Sequence, residues 1–186
     1  TSMIDSSLTF ITSNKAKAEL LARYLDYPIA HKDIDLVEIQ SLDVKQVALH
    51  KAHEAYAHIK KPVLVEDTSL ECSALGRLPG TLIKWFLHEL GNDGLCKLLS
   101  HYSDKRAICT VMFVLYDGTE VKTFSSEMKG TIAQAPKGAG GFGWDPVFIN
   151  DGYTQTRGEM TQKEYDATSP RRVAVQKLYH YLHQVR

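Results

Sequence analysis

Two β-prone runs, residues 107–116 and 120–132, flank Asp117-Gly118, a dipeptide suited to a tight hairpin turn. Strands this long need further strands and covering helices to bury their apolar faces. The start of the chain offers both kinds of element. Residues 8–12 are short, apolar and β-prone, Ser13-Asn14 reads as a turn, and residues 15–24 read as a helix. That helix puts Ala18, Leu21 and Leu25 on one face, with Asn14 as its cap. A second helix is expected over 41–59, capped by Ser41, with Val44, Val47, Ala48, Ala55 and Ile59 as its apolar stripe and Pro62 beyond its end. Residues 62–65 then read as a buried strand stopping at Glu66-Asp67. Further along come a Gly/Pro-rich loop at 75–80, helices at 82–90 and 94–101, a glycine-dense loop at 138–143 and a short strand at 146–149. A last helix over 169–184 opens on Ser169-Pro170, a cap followed by proline at the first helical position. The mixture predicts an α/β fold.

The totals agree with one domain across residues 1–186, built as two lobes. Apolar residues make up 44 % and charged residues 24 %, enough for a core. Lys plus Arg equals Asp plus Glu at 22 each, so no extended nucleic-acid or membrane footprint is expected. Cys72, Cys96 and Cys109 are scattered without C-x-x-C spacing, which argues against a zinc or disulfide scaffold and for a reducing, cytoplasmic setting. No apolar run reaches membrane-spanning length and no signal peptide opens the sequence, where Thr1-Ser2 before Met3 reads as a cloning remnant.

Six stretches carry chemistry. Thr12-Ser13-Asn14-Lys15-Ala16-Lys17 sits at a strand-to-helix turn, where unpaired N–H groups and the positive helix end suit phosphate; the alternative is a capped surface helix with solvated lysines. Glu66 and Asp67 end a buried strand, where α/β folds commonly open a ligand site. Neighbours on a strand face opposite ways, so one of the two is expected to enter the site directly, and a carboxylate with phosphate oxygens and water is a usual magnesium arrangement. Glu38 follows the alternating stretch 33–37, which hints at a strand, and is a candidate second metal acid or an exposed one. Lys51, on the edge of an apolar stripe, either snorkels or reaches an anion. Gly140-Gly141-Phe142-Gly143-Trp144-Asp145-Pro146 offers close backbone approach, flat faces for stacking and a carboxylate acceptor for a base N–H edge, or else forms a tight core turn. Ser169-Pro170-Arg171-Arg172 offers a guanidinium fork suited to a carbonyl-bearing base edge or a phosphate, or else a capped basic helix start.

In this order the stretches resemble the inosine triphosphate pyrophosphatase family. The resemblance spans nearly the whole chain. It is strongest in Val65-Glu66-Asp67-Thr68-Ser69-Leu70, Ala74-Leu75-Gly76-Arg77-Leu78-Pro79-Gly80, Ile83-Lys84-Trp85-Phe86-Leu87, Gly141-Phe142-Gly143-Trp144-Asp145-Pro146 with Phe148, and Asp151-Gly152-Tyr153 through Glu159-Met160. It implies a two-lobed mixed α/β fold with a long central mixed sheet, helices packed around it and a nucleotide cleft between the lobes. It also implies a magnesium-dependent homodimer that hydrolyses non-standard purine nucleoside triphosphates (ITP, dITP, XTP) to monophosphate and pyrophosphate. Thr12, Asn14 and Lys17 match the family's T-G-N-x-x-K phosphate motif, with Ser13 in the glycine position. Lys51 matches its triphosphate lysine, and Glu38 and Asp67 its metal acids. Phe142, Gly143, Trp144 and Asp145 fall on the base-pocket loop, and Ser169 and Arg171 on the S-H-R base-reading motif.

Besides Ser13, two departures stand out. Pro170 replaces the histidine of S-H-R, and Tyr165 stands where a pocket lysine is usual, with Lys163 two residues away. The resemblance gives Asn14, Lys17 and Lys51 the anionic tail, and gives Asp67 or a nearby acid the water that attacks the α-phosphorus. Base discrimination is expected at the purine six-position, where hypoxanthine and xanthine present an accepting O6 and adenine a donating amino group. One unsatisfied polar contact there costs about 1–3 kcal/mol, roughly 5- to 150-fold in selectivity. Pro170 offers no donor, so base preference is expected to be relaxed or shifted, with Arg171, Arg172 or Lys163 as compensating donors. The alternatives are the same chemistry on a modified or pyrimidine nucleotide, and a nucleotide-binding regulator without catalysis.

Overall fold

The computed structural model describes residues 8–27 and 29–184; Thr1-Ser2 lies outside them. The elements run β1 (Thr9–Ile11), α1 (Lys15–Tyr24), β2 (Ala30–Lys32), α2 (Val44–Ile59), β3 (Val63–Cys72), β4 (Pro79–Gly80), α3 (Ile83–Leu98), β5 (Arg106–Tyr116), β6 (Val121–Ile132), β7 (Phe148–Asn150), α4 (Gln162–Ala167) and α5 (Pro170–Gln184). The expected α/β fold is present. One open seven-stranded sheet has the order β2-β1-β3-β5-β6-β7, with β4 beside β3. It is mixed: β1 is parallel to β2 and β3, whereas β3–β4 and β6–β7 are antiparallel.

The chain divides into two compact units, residues 1–67, 111–126 and 171–186 forming the first and residues 68–110 and 127–170 the second. In the first, α2 turns Val47, Ala48, Ala52 and Ala55 inward. Ala48, Ala52 and Ala55 pack with Ile11, Val63, Val65, Met112 and Val114. The small alanines let the helix lie close over the β-branched strand residues. In the second unit Leu70, Leu95, Leu99, Val147 and Phe148 are buried.

Several boundaries differ from expectation, each for a local reason. Helix α2 begins at Val44, not 41, because Asp43 takes the cap: its Oδ1 accepts from the N–H of Lys45 and Gln46 at 2.9 and 3.3 Å. Ser41 instead accepts from the Asp43 N–H at 3.1 Å. The stretch 33–43 forms no strand. Its alternation is real, since Leu36 and Ile34 pack on the first unit's core. However, the Val37 N–H donates to Glu54 Oε2 on α2 at 3.0 Å, so a side chain replaces the ladder partner. Helix α3 is broken by Gly91 at φ 64° and ψ −178°, the division expected between 82–90 and 94–101. The strand expected at 146–149 starts later, because Asp145–Val147 forms a 3₁₀ turn and β7 follows. Pro146 has no N–H to give a ladder.

Strand β3 does not stop at Glu66. It continues to Cys72, where Leu70 and Glu71 pair with Gly80 and Pro79 of β4. Cys72 is 1 % exposed, and burial pushes its thiol up from 9.0 to about 11. A group held protonated this way gives stability that is intact below pH 9 and is lost as pH rises toward 11. The expected loss is about 2–3 kcal/mol. Urea unfolding between pH 8 and roughly 11 should show this decline, and Cys72→Ala should lack it.

Candidate active site

In the first unit, β1 delivers the chain to a turn that its own side chains build. The Asn14 N–H donates to Thr12 Oγ1 at 3.1 Å, and Asn14 Oδ1 accepts from the Lys17 N–H at 3.1 Å, capping α1 as expected. His31 Nε2 lies 2.9 Å from the Thr12 carbonyl oxygen. Ser13 is exposed at the tip. The first turn of α1 carries no acid of its own to offset the positive end of its dipole. Lys17 directs its ammonium to Glu66, with Nζ 3.3 Å from Oε1.

Glu66 and Asp67 alternate as neighbours on a strand must, yet both are buried, at 2 % and 6 % exposure. Glu66 receives a two-pronged guanidinium from Arg171 at the start of α5: Nε to Oε2 at 2.9 Å and Nη2 to Oε1 at 2.8 Å. This parallel pair is the strong carboxylate geometry. Asp67 meets Lys51, Nζ to Oδ1 at 3.9 Å. The same ammonium lies 3.2 Å from Glu38 Oε1 and donates to the Glu66 carbonyl oxygen at 3.3 Å.

Lys51 therefore does not snorkel; its side chain is only 12 % exposed. Burial alone disfavours its charge, but Asp67, Glu38 and Glu66 outweigh that, and its pKa lies above the ordinary 10.5. Lys51 is an ammonium at any physiological pH. Lys17, Lys51 and Arg171 thus face Glu38, Glu66 and Asp67 within one unit, three cations against three carboxylates.

In the second unit, the loop 138–146 is shaped around Asp145, 4 % exposed. Its Oδ2 accepts from the Phe142 N–H at 2.8 Å and from the Tyr165 hydroxyl at 3.0 Å, and its Oδ1 from Arg157 Nε at 3.1 Å. Gly141, at φ +69°, lies against this carboxylate, where an added Cβ would clash with Oδ2. Asn92 Nδ2 donates to the Gly143 carbonyl at 3.0 Å. The Trp144 ring is tilted against Phe148, with centroids 5.3 Å apart. Ser169 is buried just before α5.

Residues 8–181 match the model of the Ham1 family. The chain belongs to the Ham1 family. Among similar Ham1-family relatives, inosine triphosphate pyrophosphatase 2 of Trypanosoma cruzi (strain CL Brener) is 41 % identical over 172 residues, covering 90 % of this chain and 88 % of that protein. Inosine triphosphate pyrophosphatase of Schizosaccharomyces pombe is 38 % identical over 180 residues, 95 % of each. The fold is that of a solved HAM1 protein from Coxiella burnetii, with a TM-score of 0.85 and 23 % identity over 96 % of this chain and 99 % of that one. A nucleoside-triphosphatase / dITP/XTP pyrophosphatase from Mycobacterium abscessus gives a TM-score of 0.74 and 27 % identity, covering 92 % of this chain and 98 % of that one.

Within this Ham1 chain the structure gathers the predicted Lys17, Glu38, Lys51, Asp67 and Arg171 in the first unit, and Phe142, Gly143, Trp144 and Asp145 in the second. Glu66 was read with Asp67 as a pair of which one would enter the site directly, but its partners lie 49 and 105 positions away in the chain and were not legible (66 minus 17, and 171 minus 66). One participant, Arg157, escaped sequence reading. Arg157 had a local signal: Thr156…Glu159 and Thr161…Glu164 are both capping boxes, and Arg157 opens the turn that the first of them caps.

Proposed function

We propose that this chain hydrolyses non-standard purine nucleoside triphosphates of the ITP, dITP and XTP type to the monophosphate and pyrophosphate, as nucleotide-pool sanitation. The observation that carries the proposal is the convergence of Glu38, Asp67 and Lys51, with Lys51 Nζ 3.2 and 3.9 Å from the two carboxylates. Acids for a cation and a lysine for an anion therefore share one place. The names of relatives about 40 % identical over nine-tenths of the chain point to the same substrate. They favour neither the pyrimidine or modified-nucleotide alternative nor a regulator without catalysis.

The donor chemistry fits a magnesium ion. Glu38 and Asp67 are hard oxygen ligands that already converge on one positive charge. No cluster of three or more His, Cys, Asp or Glu side chains that would hold a metal occurs among the described residues. Triphosphate oxygens and water would complete the shell, which is how magnesium is commonly held. When bound, the ion supplies neutralisation of the charge that builds on the departing pyrophosphate.

The chain's own residues do the positioning in this proposal. Asn14 and the exposed Ser13 turn present the positive start of α1 to the phosphates, and Lys17 and Lys51 hold the tail. Asp67 accepts a hydrogen bond from the attacking water and aims it at the α-phosphorus; as the water oxygen bonds to that phosphorus, its proton leaves through the carboxylate to solvent, the α–β anhydride bond breaks and pyrophosphate departs. Arg171, with its fork on Glu66, acts as the brace that keeps Glu66 beneath Lys17. Phe142, Trp144 and Asp145 frame the base, and Ser169 contributes to reading it. The proposal includes a homodimer, for which α3 offers exposed Trp85 and Leu90. It also includes a cytoplasmic setting, supported by three buried cysteines that form no disulfide. No helix among the described residues is long and apolar enough to cross a membrane.

The test is a panel of ITP, XTP, GTP, ATP and pyrimidine triphosphates, with separate detection of pyrophosphate and orthophosphate. Pyrophosphate from ITP and XTP, abolished by chelation and restored by Mg²⁺, is the expected result. Orthophosphate as first product, or equal rates on ATP and ITP, would overturn the proposal.

A further inference from the structure

Tyr165 stands where the resemblance to the inosine triphosphate pyrophosphatases implied a pocket lysine, and Lys163, two residues away, is exposed. Of the arginines expected to compensate for Pro170, Arg171 has its fork on Glu66, and Arg172 is exposed. A buried carboxylate at Asp145 nonetheless needs a positive partner, because an uncompensated buried charge is strongly destabilising. That partner is Arg157. It is 2 % exposed, gives Nε to Asp145 Oδ1 at 3.1 Å, and gives Nη1 to Asn150 Oδ1 and Thr168 Oγ1 at 3.2 and 2.9 Å. Its guanidinium carbon lies 4.1 Å from the centroid of the Tyr165 ring, and the Tyr165 hydroxyl closes on the other oxygen of the same carboxylate.

We infer that Arg157 and Tyr165 together replace the pocket lysine: Arg157 supplies the charge, Tyr165 supplies the neutral donor and the stacking face, and the pair holds Asp145 and the Phe142–Trp144 loop in place to set base selectivity. The inference rests on the proposed function, because it assigns that loop to the base. Three features make the pair more than packing. Both oxygens of Asp145 are engaged, Oδ2 by Phe142 N–H and the Tyr165 hydroxyl, Oδ1 by Arg157. Gly141 lies against that carboxylate, so any shift of Asp145 moves the loop backbone that carries Phe142 and Trp144. Finally, the guanidinium is fixed by side-chain acceptors on three separate segments at once, which the single ammonium of a lysine would not bridge together. Arg157 and Tyr165 are positioning residues: they act through Asp145 and the loop, and touch no reacting atom.

The experiment compares the unmodified protein with R157Q, Y165F, Y165K, the double variant R157Q/Y165K and, as its control, R157Q/Y165F. It reads KM and kcat for ITP and ATP, ITP binding by calorimetry, and thermal melting. R157Q should raise KM for ITP by about tenfold or more and narrow the ITP-over-ATP ratio, with kcat little changed. A lysine at 165 is about as long as tyrosine and returns a charge to Asp145, so the double variant should recover most of that loss. R157Q/Y165F should not recover it. Y165F alone should raise KM by roughly fivefold, the lower end of the effect of one lost contact, and this decides the matter if R157Q fails to fold. A double variant no better than R157Q at equal melting temperature, or KM unchanged in R157Q and Y165F, overturns the inference. Loss of the proposed function looks different: the unmodified protein would bind ITP and release no pyrophosphate, and the binding constants of the variants would still test the pair.

Discussion

Asp67→Asn should lower kcat for pyrophosphate release by about 10²- to 10⁴-fold, the range for removing a group that takes or orients a proton in the rate-limiting step. The substitution keeps the side chain's size inside β3 and leaves Lys51 its contact with Glu38 at 3.2 Å, so the fold should survive. Magnesium saturation should need a higher concentration, because one of two acids near Lys51 has lost its charge. Steady-state rates at saturating ITP across a magnesium titration measure both effects. Activity within tenfold of the unmodified protein would show that another group orients the water. Lys51→Met supplies the complement. It removes the cation facing both acids and should raise KM for the triphosphate strongly while disturbing melting less than Glu66→Ala.

The largest effect on stability is expected from Glu66→Ala. Glu66 and Arg171 are 2 % and 6 % exposed, and removing the carboxylate leaves the guanidinium buried without its two-pronged acceptor. Breaking such a pair from one side costs about 3–5 kcal/mol. For a chain of 186 residues that corresponds to a fall in Tm of about 6–20 °C. The pair Arg106–Asp104 makes the contrast. It is shorter, at 2.7 Å, but the arginine side chain is 75 % exposed. Water and mobile ions screen it, so Asp104→Ala should leave Tm unchanged. Differential scanning calorimetry of both variants tests whether burial, and not distance, ranks these pairs. A replacement of both partners, E66L with R171M, should recover part of the loss, since paired apolar groups avoid the uncompensated charge.

The elements legible in the sequence were those specified by near neighbours. Helix α1 and its Asn14 cap depend on contacts no more than four residues apart, and both occur where the pattern put them. The turn at Asp117-Gly118 is likewise local: Asp117 Oδ1 accepts from Thr119 and Glu120 N–H at 2.8 and 2.7 Å. The start of α2 was misread because two capping residues, Ser41 and Asp43, stand two positions apart and the carboxylate prevails. Strand β3 was cut short because charged residues commonly end a buried strand. Here Lys17, Arg171 and Lys51 neutralise them from distant parts of the chain.

What the amino-acid order determined by itself was periodicity, caps, turns and the list of groups able to meet phosphate, a cation and a flat ring, because each depends on residue type and short spacing. Which charges meet was decided only in three dimensions. Lys51 and Asp67, sixteen positions apart (67 minus 51), come within 3.9 Å, and Arg157 finds Asp145 and the Tyr165 ring. Coulomb interaction and desolvation depend on distance and burial, and neither is written in the order of residues until the chain has folded.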